Sequence, residues 1–309
     1  MDHQTDLELP RGIALAWGVA ANPQRGPRRE LTIEQIVETA VRIADQGGLS
    51  AVSMSSVASA LGFTPMSLYR YVSAKDDLLL LMQEEGIGLP PESIREASTP
   101  RDALVDYAKG MLEIYTEHPW LLEIPVEGPP QTPHNIAWLD AALGALAPVR
   151  LGYGEKLAIV LAIVAQVRWN ATILRGYATL AGTTGRPSED VDATIAARLT
   201  ELVSREEFPY AADSLLSGAF QAQTDPFVFG LDRLLDGVMA YIEAHPTGSD
   251  PTELPASPDP LDAVAAKDER YQEAVKQRRE AEKKLRDARK KEHERFRDAR
   301  EKAGKQRVS

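Results

Sequence analysis

The chain has 309 residues, of which 43% are hydrophobic, so it is long and apolar enough to form more than one domain. It has no cysteine, which excludes disulfides, thiol nucleophiles and thiolate metal ligands and fits a reducing cytoplasm. The formal net charge of -11 argues against a nucleic-acid partner unless basic residues are concentrated in one part of the chain.

Basic residues are in fact concentrated in two places. Residues 262–309 carry 17 Lys or Arg and 11 Asp or Glu, a net charge of +6, while the remainder of the chain carries -17. Within that acidic remainder, Arg25, Arg28 and Arg29 form a small basic cluster ahead of the first long helical pattern. An acidic body with local basic patches suits a protein that touches DNA at one end only.

No targeting or membrane segment is predicted. Residues 1–12 are polar and acidic and lack the basic and apolar regions of a secretory signal. The longest apolar run, Leu157 to Ala165, is too short to span a bilayer and predicts a helix buried in protein. We therefore expect a cytoplasmic protein, associated with the nucleoid when bound to DNA, and no membrane partner.

The first helix has clear boundaries in the sequence. The segment 22–29 is rich in Pro, Gly and Arg and predicts a flexible arm. Thr32 and Gln35 then form a capping box, in which each side chain accepts a hydrogen bond from a backbone N–H at the start of the helix. Apolar residues recur at helical spacing until Gly47 and Gly48 end the pattern.

Three further short helices follow. Ser53 is the predicted N-cap of the second helix and Gly62 its end. Thr64 and Pro65 open the third helix, which runs to Tyr71. Ser73 is the predicted N-cap of the fourth. Short helices separated by a glycine-closed turn predict a helix-turn-helix.

The third helix has the division of faces that a DNA-reading helix needs. Leu68 and Val72 are predicted to face the core. The predicted base contacts are Pro65, Met66, Ser67, Tyr69 and Arg70, and the predicted phosphate contacts are Tyr71 and Lys75. The alternative is that the tyrosines seal the small domain and the charged side chains are simply solvated.

The run from Arg28 to Met82 resembles the DNA-binding domain of the tetracycline-repressor (TetR) family. The resemblance is carried by Ala58–Phe63, Ser67–Val72 and Lys75–Leu79. It implies that the helix from Thr64 to Tyr71 is the recognition helix. The full predicted DNA-binding set comprises Arg25, Arg28, Arg29, Ser55, Thr64, Pro65, Met66, Ser67, Tyr69, Arg70, Tyr71 and Lys75. Ser55 and Ser56 stand where many relatives carry Arg, so the preferred operator is expected to differ.

The rest of the chain predicts an all-α protein, because no stretch alternates with a period of two. Long helices are predicted over 101–118, 135–147, 153–180, 188–205 and 226–244. We expect an N-terminal three-helix helix-turn-helix domain, a larger helical-bundle ligand-binding and dimerisation domain, and a charged C-terminal tail. The predicted limits are 1–29 for the arm, 30–90 for the DNA-binding domain, 100–245 for the large domain, 246–261 for a linker and 262–309 for the tail, helical or disordered.

The large domain resembles the tetracycline-repressor-type C-terminal domain more diffusely. Phe208–Pro209 and Phe227–Gly237 are similar to the end of that domain, and Leu15–Gly18 to the segment before its arm. The resemblance covers about residues 10–245 and implies dimerisation through helices 188–205 and 226–244. A packed intramolecular core would show the same apolar pattern, so both readings stay open.

The resemblance also implies an effector pocket for an unknown small molecule. Aromatic residues with a few polar groups suit a mostly apolar cavity, and the candidates are Tyr107, Met111, Tyr115, His118, Trp120, His134, Trp138, Arg168, Trp169, Asn170 and Ile173. The polar Arg168 and Asn170 stand inside a very apolar helix. Each candidate could instead be an ordinary core or surface residue.

Catalysis, cofactors and metals are not expected. The five His residues show no metal-ligand spacing. The best titratable set for an enzyme, His118 with Glu117 and Glu123, is poor. The predicted function is a homodimeric regulator, a repressor by family resemblance, that binds a palindromic operator and is released by an effector. The alternative is an architectural protein that binds DNA nonspecifically through the arm and the tail, without effector control.

Overall fold

The computed structural model describes residues 10–19, 31–126, 128–184, 188–219, 225–246 and 267–277, with single tail residues at 280, 281, 284, 291 and 295. Within these residues all regular structure is helical. The helices are α1 (Arg11–Ala16), α2 (Ile33–Gly47), α3 (Met54–Leu61), α4 (Pro65–Leu68), α5 (Lys75–Ile87), α6 (Ser93–Glu96), α7 (Pro100–Glu117), α8 (Pro133–Ala145), α9 (Tyr153–Thr184), α10 (Ser188–Leu202), α11 (Pro209–Leu216) and α12 (Pro226–Ala244). Short 3-10 turns span Leu49–Ala51 and Pro119–Glu123. The predicted all-α class is confirmed.

The chain divides into two units, 1–251 and 252–309, and the division falls within the predicted linker. In the second unit, residues 269–277 are helical. Asp268 begins this helix, because its carboxylate accepts hydrogen bonds from the backbone N–H groups of Arg270 and Tyr271 at 2.9 and 3.0 Å. Most of the predicted linker and much of the tail lie outside the described residues.

The boundaries of α2 and α3 follow local capping chemistry, as predicted. Thr32 and Gln35 form the capping box of α2. Ser53 caps α3 with Ser56 as its reciprocal partner, and Gly62 ends α3 in a left-handed conformation with φ 74°. A residue with a β-carbon is strained at that angle, so glycine lets the chain turn sharply into the next helix.

Two predictions about the next helices are wrong. Helix α4 spans four residues and does not continue as a helix to Tyr71. Helix α5 starts at Lys75 after Ala74, which has no side-chain cap, so Ser73 is not the N-cap. The start of α5 carries Asp76 and Asp77 instead, and negative charge in the first turn is favoured by the helix dipole.

Helix α5 connects the small N-terminal domain to the large one. It packs against α1 and α2 on one side and against α8 on the other. One continuous cluster of buried apolar side chains runs from α2 through α5 to α7, α8, α9 and α12. Helix α12 is held on α7 by Arg101, whose guanidinium bonds Asp236 at 2.8 Å and Asp232 at 3.2 Å. The two domains therefore share a core rather than a flexible hinge.

Helix α9 differs from its prediction. The stretch Tyr153–Leu180 is long and apolar enough to cross a membrane, yet only 33% of its most apolar window is buried. The prediction of a helix buried in protein is wrong for most of the run Leu157–Ala165, because only the side that carries Val160 and Ile163 packs inward while Leu157 and Leu161 are exposed. Length and composition alone are weak evidence of a membrane span.

Candidate functional site

Helix α4 and the residues on either side of it, 64–72, separate their side chains into a buried and an exposed set. Leu68 and Val72 are fully buried, as predicted. Met66 is 75% exposed, Tyr69 is 46% exposed, and Arg70 is also exposed. Thr64 and Pro65 and, at the start of α5, Lys75 are exposed as well. Leu68 and Val72 thus anchor this short segment in the core, and its other side chains form one exposed surface.

The serines near this surface differ in whether their hydroxyl groups are exposed and free of hydrogen bonds within the protein. The Ser67 hydroxyl lies 2.9 Å from the Thr64 hydroxyl, and its side chain is half-buried, as is that of Tyr71. Ser56 is occupied by the cap of α3, because its hydroxyl donates to the Ala51 and Ser53 carbonyl oxygens. Ser55 is exposed and is the serine of that pair that can face a partner. Arg25, Arg28 and Arg29 lie outside the described residues.

Four of the candidate pocket residues form two pairs along α7, one with α8 and one with α9. The rings of Tyr107 and Trp138 pack edge to face with centroids 5.5 Å apart. The Arg168 guanidinium donates to the Tyr115 hydroxyl at 3.2 Å and lies over its ring. Both tyrosines and Trp138 are buried, and burial raises the pKa of Tyr107, so its hydroxyl stays neutral. Met111 belongs to the same buried cluster.

Asn170 lies on the buried side of α9, next to Val167 and Ala171. The residue is 8% exposed, and its amide stands among apolar neighbours on that side of the helix. Asn170 is thus a polar side chain placed on the inward side of a mostly apolar helix, as is Arg168 two residues before it.

The structure does not bring the other candidates into this group. Trp169 is 66% exposed and Ile173 is 38% exposed, because they lie on the side of α9 that faces away from α7. His118 contacts Asp45 of α2, with its Nδ1 2.8 Å from Oδ1. The sequence could not assign these sides, because α9 is apolar around most of its circumference.

The junction of α5 and α8 contains a functional residue that the sequence did not suggest. The carboxylate of Glu84 in α5 accepts a 2.7 Å hydrogen bond from the backbone N–H of His134, in the first turn of α8. The His134 ring in turn lies 2.7 Å from the Glu84 carbonyl oxygen. Trp138 donates to the carbonyl of Gly88, which ends α5. The C-terminus of α5 and the N-terminus of α8 thus satisfy each other's backbone groups.

A second junction joins α2 to the Pro119–Glu123 turn. Asp45 Oδ1 accepts a 2.7 Å hydrogen bond from the Trp120 indole. From the other side, Arg168 and Arg175 of α9 reach the turn, where they donate to the carbonyls of Leu122 and Pro119 at 3.5 and 3.4 Å. Arg168 therefore contacts both the tyrosine cluster and a turn that is bonded to the DNA-binding domain.

The enzyme set considered from the sequence does not assemble. His118 is engaged with Asp45, and Glu123 pairs with Arg175. Among the described residues, no group of three or more His, Asp or Glu side chains is arranged to hold a metal ion.

Large apolar side chains are exposed on three helices of the large domain. On α9 they are Leu157, Leu161, Trp169, Ile173, Leu174 and Leu180; on α10 they are Ile195, Leu199 and Leu202; on α12 they are Val228 and Phe229. We call these residues the apolar face. Exposed apolar side chains in such number on neighbouring helices are typical of an interaction site when they form one patch.

Two family models match the chain. Residues 36–82 match the model for bacterial regulatory proteins of the tetR family, and residues 95–242 match the tetracyclin repressor-like C-terminal domain. The HTH-type transcriptional repressor DrrR1 of Streptomyces coeruleorubidus is 32% identical over 237 residues, which cover 76% of this chain and 87% of that protein.

Solved structures show the same fold. The apo form of ActR from Streptomyces coelicolor aligns with a TM-score of 0.59 at 20% identity, over 71% of this chain and 99% of that one. ActR in complex with actinorhodin aligns with a TM-score of 0.56 at 19% identity, over 70% and 98% of the two chains.

Replacing Glu84 by Ala tests the α5–α8 junction. The change removes the acceptor for the His134 N–H, and we expect the free energy of unfolding to fall by about 1–2 kcal/mol. Urea unfolding followed by circular dichroism measures it. Glu85→Ala is the matched control, since Glu85 lies one residue further on the exposed side of α5. Equal losses in the two variants would show that the junction contributes nothing specific.

Proposed function

Because the chain belongs to the tetR family of bacterial regulatory proteins and is thus a DNA-binding transcriptional regulator, we propose that it is a repressor released by a small molecule. It binds as a homodimer to a palindromic operator, in the cytoplasm and at the nucleoid. The observation that carries the proposal is the division of α4, with Tyr69 and Arg70 exposed beside the fully buried Leu68. The 32% identity to the repressor DrrR1 favours repression over activation.

The exposed set on α4 has the chemistry for reading DNA. Arg70 can donate two hydrogen bonds to one guanine in the major groove, and Met66 can pack against a thymine methyl group. Tyr71 and Lys75 follow where the chain leaves the helix and suit phosphate contacts. The lack of Arg at Ser55 and Ser56 predicts that the region around α3 contributes little to binding energy, so specificity concentrates on α4.

The apolar face supports a homodimer. A monomer would leave these side chains in water, while burying them against a second copy removes them from it. A stable interface of this kind buries about 1,600 Å² in total. Helices α10 and α12 were the predicted interface, and the exposure of Leu157, Leu161 and Trp169 adds α9 to it.

The effector site is proposed at Tyr107, Tyr115, Trp138, Arg168 and Asn170. Trp138 contacts Tyr107 with its ring and the end of α5 with its N–H. A ligand that inserts beside Tyr107 therefore has to shift Trp138 and, with it, the last turn of α5. Such a shift changes the spacing of the two reading heads, which must match one turn of DNA. ActR, a protein of the same fold, has been solved in complex with actinorhodin, so this fold can hold a small molecule.

Selection of bound sequences from a random duplex pool tests DNA recognition. We expect wild-type protein to enrich one palindrome and the double variant Tyr69→Ala/Arg70→Ala to lose that enrichment, because each lost base contact costs about 1–3 kcal/mol of discrimination. Arg95→Ala removes an equally exposed arginine on α6 and should leave the palindrome unchanged. Binding without enrichment, equal in all three proteins, would favour the architectural alternative.

Replacing Leu161 by Glu tests the dimer. A charge in the middle of the apolar face should convert the dimer to a monomer at micromolar concentration, because an unpaired charge cannot be buried there without a large cost. Sedimentation velocity measures the mass. Leu89→Glu places the same charge at another exposed leucine, outside the apolar face, and should stay dimeric. A wild-type monomer would contradict the proposal.

A thermal-shift screen of small molecules, with actinorhodin included, tests the effector site. At about 100 times its Kd a ligand stabilises the protein by about 2.7 kcal/mol, which raises the Tm by several degrees. Asn170→Leu removes the buried amide at similar volume and should abolish the shift. Thr172→Val, two residues along the same helix on its exposed side, should retain it. A ligand that shifts all three proteins equally binds elsewhere.

A further inference from the structure

Helix α1 lies outside both regions that the family models match, which begin at residue 36. It is nevertheless a packed element, because Ile13 is buried and the partly buried Leu15 and Ala16 contact the shared core. Its neighbour is α5, the helix that connects the two domains. The sequence Leu15–Gly18 had only suggested a segment that precedes the DNA-binding domain.

The N-terminus of α1 is capped by a residue of α5. Pro10, the N-cap residue, provides no side-chain hydrogen bond. Instead the Gly12 N–H donates to the Asp77 carboxylate at 3.0 Å. A β-carbon on Gly12 would lie 2.9 Å from that carboxylate oxygen and 3.2 Å from the Asp77 α-carbon, so only glycine allows this approach.

The C-terminus of α1 is bonded to the large domain. Gly18 adopts a left-handed φ of 65° and ends the helix. The indole N–H of Trp17 donates to the carbonyl of Gln131 at 2.8 Å. Gln131 immediately precedes Thr132, the N-cap of α8. Trp17 is 47% exposed, so this bond rather than burial fixes the side chain.

We propose that α1 is a brace between the two domains, and that Trp17 and Asp77 are positioning residues for DNA binding. One end of the brace is fixed to the first turn of α5 and the other to the chain that enters α8. Those two helices meet again at Glu84 and His134, at the far end of α5. Contacts near both ends of α5 restrict its tilt relative to α8 more than the shared core and the Glu84–His134 contact do without the brace.

The consequence for DNA binding is one of preorganisation. A reading head that pivots must be ordered when it binds DNA, and the ordering lowers the affinity without any loss of a DNA contact. With the brace, the reading head is already ordered in the free protein, so DNA binding does not have to order it. This inference rests on the proposed dimer with two reading heads, and it adds residues that touch neither DNA nor effector.

The test uses the full-length protein and the palindrome selected with wild-type protein. Asp77→Ala and Trp17→Ala should each weaken operator binding roughly tenfold, on the scale of one lost hydrogen bond to a charged or buried partner. Asp77→Asn keeps an acceptor for the Gly12 N–H and should restore most of the affinity. Asp76→Ala removes the same charge one residue away, on the exposed side of α5, and should not weaken binding.

A second readout separates positioning from folding. Because the chain has no cysteine, Ser59→Cys on α3 gives one spin label per protomer, and the distance between the two labels reports the reading heads. We expect Asp77→Ala and Trp17→Ala to broaden that distance distribution while the Tm falls by no more than about 4 °C, equally in variants that keep and variants that lose affinity, since α1 contributes few core residues.

Unchanged affinity and an unchanged distance distribution in both variants would overturn the brace. An equal loss in Asp76→Ala, or a loss of affinity that follows a fall in Tm, would overturn it as well. If wild-type protein selects no palindrome, the proposed function fails rather than the brace, because the variants have then no operator to lose.

Discussion

The fold depends on the place where the C-terminus of α5 meets the N-terminus of α8. A helix ends with unpaired carbonyl groups and begins with unpaired N–H groups, and both are costly when they are buried. The Glu84 carboxylate accepts from the His134 N–H at the start of α8, and the Trp138 indole donates to the carbonyl of Gly88, which caps α5. The Glu84 carbonyl, which already accepts from the Gly88 N–H, also contacts the His134 ring. One oxygen of Glu84, Oε2, is buried without a partner among the described residues. The junction thus fixes the two helices through Glu84 Oε1, while Oε2 could still accept one more hydrogen bond.

This junction shows how a change in the large domain can reach the small domain although the two share one apolar core. In the proposed function, α5 carries a DNA contact, Lys75, at its start and the contacts with the large domain at its end. A ligand beside Trp138 changes the α5–α8 contact itself, so no long chain of intermediate residues is needed. The turn at Trp120, bonded to Asp45 and reached by Arg168, provides a second contact between the same two domains.

Features that depend on neighbouring residues could be predicted from the sequence, and features that depend on distant pairs could not. The capping box at Thr32 and the turn at Gly62 are encoded within a few residues and were correct. His134 pairs with Glu84, fifty residues away along the chain, and no local sequence pattern around Glu84 indicates that pairing. The prediction of Ser73 as an N-cap was wrong because a serine three residues before an acidic residue, here Asp76, does not by itself fix where a helix starts.

The buried side of α9 was equally hidden from the sequence. A helix that is apolar on most of its surface has no single apolar stripe, so Trp169 could not be distinguished from Asn170 as a pocket residue. Once α7 and α12 are placed against it, the inward residues are fixed, and Asn170 is among them. The remaining apolar residues then have to be explained by something outside the protomer.

That uncovered surface has a consequence for the cell. In the proposed dimer, occupancy of the operator depends on the square of the protomer concentration when most protomers are single and the operator is mostly free, so a halving of that concentration lowers occupancy by more than half. Newly made single chains, with Leu161 and Trp169 still in water, are also the form most exposed to proteases and chaperones. The level of the regulator, and not only its ligand, would then set when the regulated genes are switched on.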